Sequence, residues 1–220
     1  MRVPFAIAGV AAGLFAEVAA LAVLGRAGSP LLLPMLASVA QFGAIGVVGS
    51  LVLLRLPAHR IGWAMVLAST LTAVVVVAST YLAIERGAGP LAAAAFGAIW
   101  LSEGPLLAIW LFFLYTFPTG TFASHRDRRT FMLITVTATV VLFVLYLVAP
   151  PGVSPSDVVP VDVPESVSGP FALGSASADL VRALAQLSSA VAVLGLLALI
   201  RNYVRGDALL RAQLRYVVWA

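Results

Sequence analysis

PLAAAAFGAIWLSEGPLLAIWLFFLYTFPTGTFASHRDRR, running from Pro90 to Arg129, is the stretch on which the reading of this chain turns. Its first part, Pro90 to Phe117, is an apolar run with one carboxylate, Glu103, near its middle. At 1.5 Å rise per residue, about 27 helical residues cross the roughly 30 Å of a bilayer's hydrocarbon core with length to spare. The run closes on Phe117-Pro-Thr-Gly-Thr121. Pro118 lacks a backbone donor and Gly120 tolerates positive φ, so a helix ends there. His125-Arg-Asp-Arg-Arg129 follows at once, and clustered arginines mark the cytoplasmic face of a span. The stretch reads as a transmembrane helix, its exit turn and its basic flank.

The whole composition agrees. Of the 220 residues 62% are apolar and 10% are charged, and the mean hydropathy is +1.07. Water-soluble domains carry about 25% charged residues, so a soluble fold is set aside. All 13 basic residues are arginines, and they sit beside apolar runs. The positive-inside rule accounts for them there, so no nucleic-acid interface is read from them. The absence of cysteine removes disulfides, thiol catalysis and thiolate metal sites.

The expected fold class is all-α, a polytopic transmembrane helix bundle. Six spans are predicted, roughly Val3–Leu24, Leu31–Leu54, Ile61–Ile84, Leu91–Phe117, Phe131–Ala149 and Leu180–Tyr203. The first apolar run, about 20 residues, exceeds a signal-peptide core of about 7–15 and is taken as a span. Short connections make successive helices antiparallel neighbours, so residues 1–204 form one bundle. With the N-terminus cytoplasmic, ten arginines (2, 55, 60, 126, 128, 129, 201, 205, 211 and 215) fall inside and three (26, 86 and 182) outside. That asymmetry predicts a multi-pass protein of the inner or plasma membrane, with its N-terminus in the cytoplasm.

Two segments depart from this regularity. The outer connection, residues 150–178, holds six of the 13 prolines with Asp157, Asp162 and Glu165 and no basic residue. It is expected as a flexible acidic tether, with an outer cap or ligand-contacting loop as the alternative. Residues 205–220 read as a juxtamembrane amphipathic helix, or as the start of a seventh span, in a protein that continues beyond Ala220.

Polar groups inside the spans are few: Glu17, Gln41, Glu103 and a Ser69, Thr70, Thr72 group. A carboxylate at membrane depth is costly, so Glu103 is expected to face the bundle interior, protonated or paired. Gly104 and Pro105 beside it soften the helix, since Pro105 frees the carbonyl of Leu101. The candidate intramembrane polar site is therefore Glu103, with Glu17 and Gln41. The plainer reading makes these groups interhelical hydrogen-bonding glue. Gly9 and Gly13 offer a small-residue face for close packing within the bundle or in a homodimer. His59 and His125 lie in arginine-rich turns without companion ligands. No metal site, cofactor site, phosphate loop or hydrolase elbow is found, and no catalytic residue is assigned.

Three inner segments carry a resemblance. They are Arg55-Leu-Pro57-Ala-His59-Arg-Ile-Gly62-Trp63, then Phe117-Pro118-Thr-Gly120-Thr, and then Arg205 to Arg215 with Gln213 and Leu214. Together they resemble the N-terminal membrane region of actinobacterial-type sensor histidine kinases. Arg60, Thr121, Ala212 and Tyr216 depart from that pattern. The resemblance implies a membrane-embedded sensing or anchoring domain of a signal-transducing two-component protein. It has no catalysis in this chain, and a cytoplasmic kinase domain is its downstream partner. Two other readings stand beside it: a small proton-coupled transporter using Glu103, and a structural membrane subunit.

Overall fold

A computed structural model describes residues 2–84, 89–117, 120–154 and 163–205. Pro118, Asp157, Asp162, Arg86, Gln213, Leu214 and the expected juxtamembrane helix beyond Arg205 lie outside the described residues. The described residues are helical with turns and contain no strand. In chain order the helices are α1 (Arg2–Arg26), α2 (Leu32–Arg55), α3 (Arg60–Ile84), α4 (Pro90–Thr116), α5 (His125–Val148), α6 (Ala178–Ala190) and α7 (Ala192–Arg205).

The helices α1 to α5 are long and apolar enough to cross a membrane. Their outward faces carry large apolar side chains, among them Phe5, Phe15, Leu33 and Leu133, each at least 70% exposed. Surfaces of this kind are incompatible with water and suited to lipid. The chain is a multi-pass, membrane-embedded all-α protein. The expected sixth span is not one helix: α6 and α7, of 13 and 14 residues, are separated at Val191. No Pro or Gly sits at that break. Packing explains it, because α6 lies against α5 whereas α7 lies against α4. The chain changes neighbours at Val191.

The central helix is α3, which packs against α1, α2 and α4. Gly43, Gly46 and Gly49 recur every three residues along α2, with Gly43 against Leu14 of α1 and Gly46 and Gly49 against α3. A Cβ at Gly46 would run into the Ser69 side chain and stand 3.0 Å from Val10 Cγ1. At Gly49 it would lie 2.6 Å from Met65 Cβ and 3.0 Å from the Gly62 carbonyl. Lipid supplies no hydrophobic drive for helices to associate, so such close backbone approach is the main source of cohesion. Of the expected pair on α1, Gly13 sits close to Ala73, at 3.2 Å from a notional Cβ, while Gly9 faces open space.

The proline-rich connection, residues 150–178, is not a tether where it is described. Val153, Val163 and Val167 are buried and join the main core with Ala149, Phe96 and Trp100. Its backbone also caps α5, whose last carbonyls lack intrahelical partners. Phe171 N–H donates to Leu147 O at 2.7 Å, Leu173 N–H to Val148 O at 3.1 Å and Gly169 N–H to Ala149 O at 2.9 Å. Gly169 is required there, since a Cβ would strike the Tyr146 carbonyl. The segment is a cap on the end of the bundle opposite the arginine turns.

The glycine seam gives a direct test. Gly46→Leu is expected to lower stability in detergent by about 1–3 kcal/mol through overpacking, whereas Gly9→Leu leaves it unchanged. Denaturant titration followed by circular dichroism measures both, and equal behaviour of the two variants contradicts the seam.

Candidate functional site

The intramembrane acids are arranged differently from expectation. Glu17 lies on the inward stripe of α1, in line with Val10 and Leu24 at seven-residue spacing and with Gly13 and Ala20 between. That stripe faces α2 and α3. Glu17 is 1% exposed, and neither carboxylate oxygen has a hydrogen-bond partner among the described residues. It falls between two apolar clusters, one containing Val10, Leu53 and Val66, the other Ala20, Leu24, Met35 and Val39. An isolated charge cannot be held there, so the group is neutral or shares its site with something that balances it.

Glu103 is only half-buried and is engaged in an interaction of its own. Its neighbour Gly104 lies against Thr139 of α5, 3.0 Å from a notional Cβ, and α4 stays helical through Pro105. Gln41 is exposed on the lipid side of α2, so it is not glue between helices. The three candidate groups Glu103, Glu17 and Gln41 are not brought together. Glu17 faces α2 and α3, Glu103 belongs to a helix packed against α3, α5 and α7, and Gln41 points away. Sequence reasoning ranked Glu103 first because depth within a span is readable. The direction a side chain faces was hidden by the apolar surround of α1.

At the arginine-rich end two of the resembling segments, Arg55–Trp63 and the turn at Gly120, come together. In the Arg55–Trp63 turn, Trp63 Nε1–H donates to Pro57 O at 2.9 Å, and His59 Nδ1 accepts from Gly62 N–H at 3.4 Å. The turn thus caps its own α3 terminus. Gly120 adopts φ +72, a left-handed conformation that glycine takes at little cost. Its α-carbon lies against that turn, with a notional Cβ 3.6 Å from Ile61 and 3.8 Å from Arg60. Phe122 is held below by Phe131 and Phe112, with ring centroids 5.1 and 6.0 Å away.

The strongest polar feature is one the sequence did not single out. Asp127, 6% exposed, lies in the first turn of α5. Its backbone N–H donates to Ser124 Oγ at 3.1 Å, and the Ser124 hydroxyl donates to Asp127 Oδ2 at 2.9 Å. The other oxygen, Oδ1, receives Arg201 of α7 at 2.7 Å. The carboxylate is thus met by a helix N-terminus, a hydroxyl and a guanidinium. The signal available in sequence was Ser124-x-x-Asp127 as a helix start, but its partner is 74 residues away.

Among the described residues no group of His, Asp and Glu has the makings of a metal site. Searches against family models, curated proteins and solved structures returned no match to this chain. The class defined by the fold is therefore a multi-pass helical membrane bundle with one desolvated acid in its core and one satisfied acid at its arginine end.

The unpartnered acid gives a direct stability test. Glu17→Leu removes buried oxygens without partners and is expected to raise stability by about 1–3 kcal/mol in detergent. A comparable loss instead, measured by denaturant titration, contradicts the unpartnered placement.

Proposed function

We propose that this chain is the membrane-embedded sensing and anchoring domain of a signal-transducing protein, without catalysis of its own. Its arginine-rich end and N-terminus face the cytoplasm, and α6 with α7 completes a sixth crossing. At about 1.5 Å per residue, neither of these two helices spans the hydrocarbon alone. The observation that carries the reading is the Asp127–Arg201 bridge. It ties the start of α5 to the last turns of α7, from which the chain runs on towards its C-terminus. A bridge to a buried carboxylate is costly to leave half-made, so it favours two discrete arrangements over a continuum. The break at Val191 lets α6 and α7 follow different neighbours, α5 and α4, so a shift of α7 against α4 need not carry α6 with it. The resembling turns around Trp63 and Gly120 support the same reading, with a cytoplasmic kinase-type module as the partner that receives the movement.

A second reading, a small proton-coupled carrier, is favoured by Glu17 alone, because a buried unpartnered carboxyl is what a proton carrier needs. Glu103 contributes little to it, since the two acids share no site. The structural-subunit reading gives neither acid a task.

The test uses protein purified from its native membrane and incubated with ATP. Phosphoryl transfer is expected to change several-fold in Asp127→Arg and in Arg201→Asp, and to recover when both changes are combined. No phosphoryl transfer in the native preparation, with proton flux in vesicles that Glu17→Gln abolishes, decides for the carrier.

A further inference from the structure

Between α1 on one side and α4 with α5 on the other runs a groove of about 600 Å³, floored by α3. Gly9, Trp63, Leu67, Ala108, Phe112 and Phe131 are among its lining residues. The volume falls within the roughly 300–1,000 Å³ of small-molecule sites. Two small residues keep the groove open: Ala108, and Gly9, at which a Cβ would meet nothing within 4 Å. The polar atoms of the lining are already used. Thr70 Oγ1 donates to the Val66 carbonyl at 2.9 Å, and Trp63 Nε1–H is held by Pro57 O. What remains on offer is apolar contact, which suits a hydrocarbon chain.

The end of the groove near the arginine turns is different. Trp63 and Phe131 line it there, and each follows an arginine by three residues, Arg60 and Arg128. On a helix that spacing puts the arginine on the same face, one turn nearer the membrane surface. Both are exposed, and neither is in an ion pair among the described residues. The acid nearest to Arg128, Asp127, is committed to Ser124 and Arg201. An apolar trough with two uncommitted guanidinium groups at its surface end matches an amphiphile with an acyl chain and an anionic headgroup. Guanidinium forks bind phosphate well. A second copy of the chain fits less well, because parallel packing in the membrane would set one arginine-rich end against another.

We propose that this groove binds one anionic phospholipid, its acyl chain between α1 and α4 and its phosphate on Arg60 and Arg128. The site is separate from Glu17 and from the Asp127–Arg201 bridge, and it stands whether or not the signalling reading holds.

The experiment places the full chain in nanodiscs containing a phosphatidylglycerol analogue with a photoreactive acyl chain. A phosphatidylcholine analogue with the same chain is used in parallel. Preferential labelling by the phosphatidylglycerol analogue is expected, mapping to α3 near Leu67 and to α4 near Ala108. The double change Arg60→Gln and Arg128→Gln alters exposed residues only and should lower that preference by about fivefold per arginine. Gly9→Leu, which enters open space, should reduce labelling by both analogues. Equal labelling of the unaltered chain by the two lipids overturns the proposal. So does label spread evenly around the bundle, or chain-to-chain cross-linking through the groove.

Discussion

Close backbone approach along Gly43, Gly46 and Gly49 is the constraint on which the rest of this bundle depends. In lipid an exposed leucine costs nothing, so burying one side chain against another gains little. What holds α2, α3 and α1 together is that glycines let side chains such as Ser69, Leu14 and Met65 come within contact of bare backbone. With α3 fixed in that seam, its remaining side receives α4, whose Phe96, Ile99 and Trp100 fill the core with Val75, Val76 and Leu82. The helices further out are held on fewer faces, and α5 exposes most of its length to lipid.

The same packing gives the two acids contrasting environments. Glu17 is carried inward because it occupies the stripe by which α1 meets α2 and α3. Nothing among the described residues answers its oxygens. Asp127 is also buried, yet every oxygen is answered, by Ser124 at the cap of its own helix and Arg201 on a distant one. A fold that tolerates the first and completes the second concentrates unfilled hydrogen-bonding capacity in the membrane core, while its polar cohesion lies at the surface. That division is why the arginine-rich end reads as the place where movement is passed on.

What was legible in the sequence was whatever depends on neighbours along the chain. The five long helices followed from run length and hydropathy, and the stop after Phe117 from Pro118 and Gly120. The turn at Arg55–Trp63 is likewise local, closed by Trp63 on Pro57. What was not legible depends on rotation or on distance. Apolar residues surround Glu17 on every face of α1, so nothing in the local pattern marked the inward stripe. Gln41 was misjudged for the same reason. The break at Val191 has no local breaker and arises from α6 and α7 choosing different neighbours. The connection over residues 150–178 looked like a proline-rich tether because its valines, packed beneath it, find partners only in the assembled core.

The alternation of the spans is the claim beneath all others, and the cysteine-free chain makes it directly measurable. Single cysteines placed at the exposed Ala27, Ala58, Ala123 and Ala172 would be reacted with a membrane-impermeant maleimide in sealed, oriented vesicles. The account predicts that Ala58→Cys and Ala123→Cys react from one side and Ala27→Cys and Ala172→Cys from the other. Reaction of Ala27→Cys and Ala58→Cys from the same side would contradict it, because α2 would then not cross the membrane and the seam could not form within it.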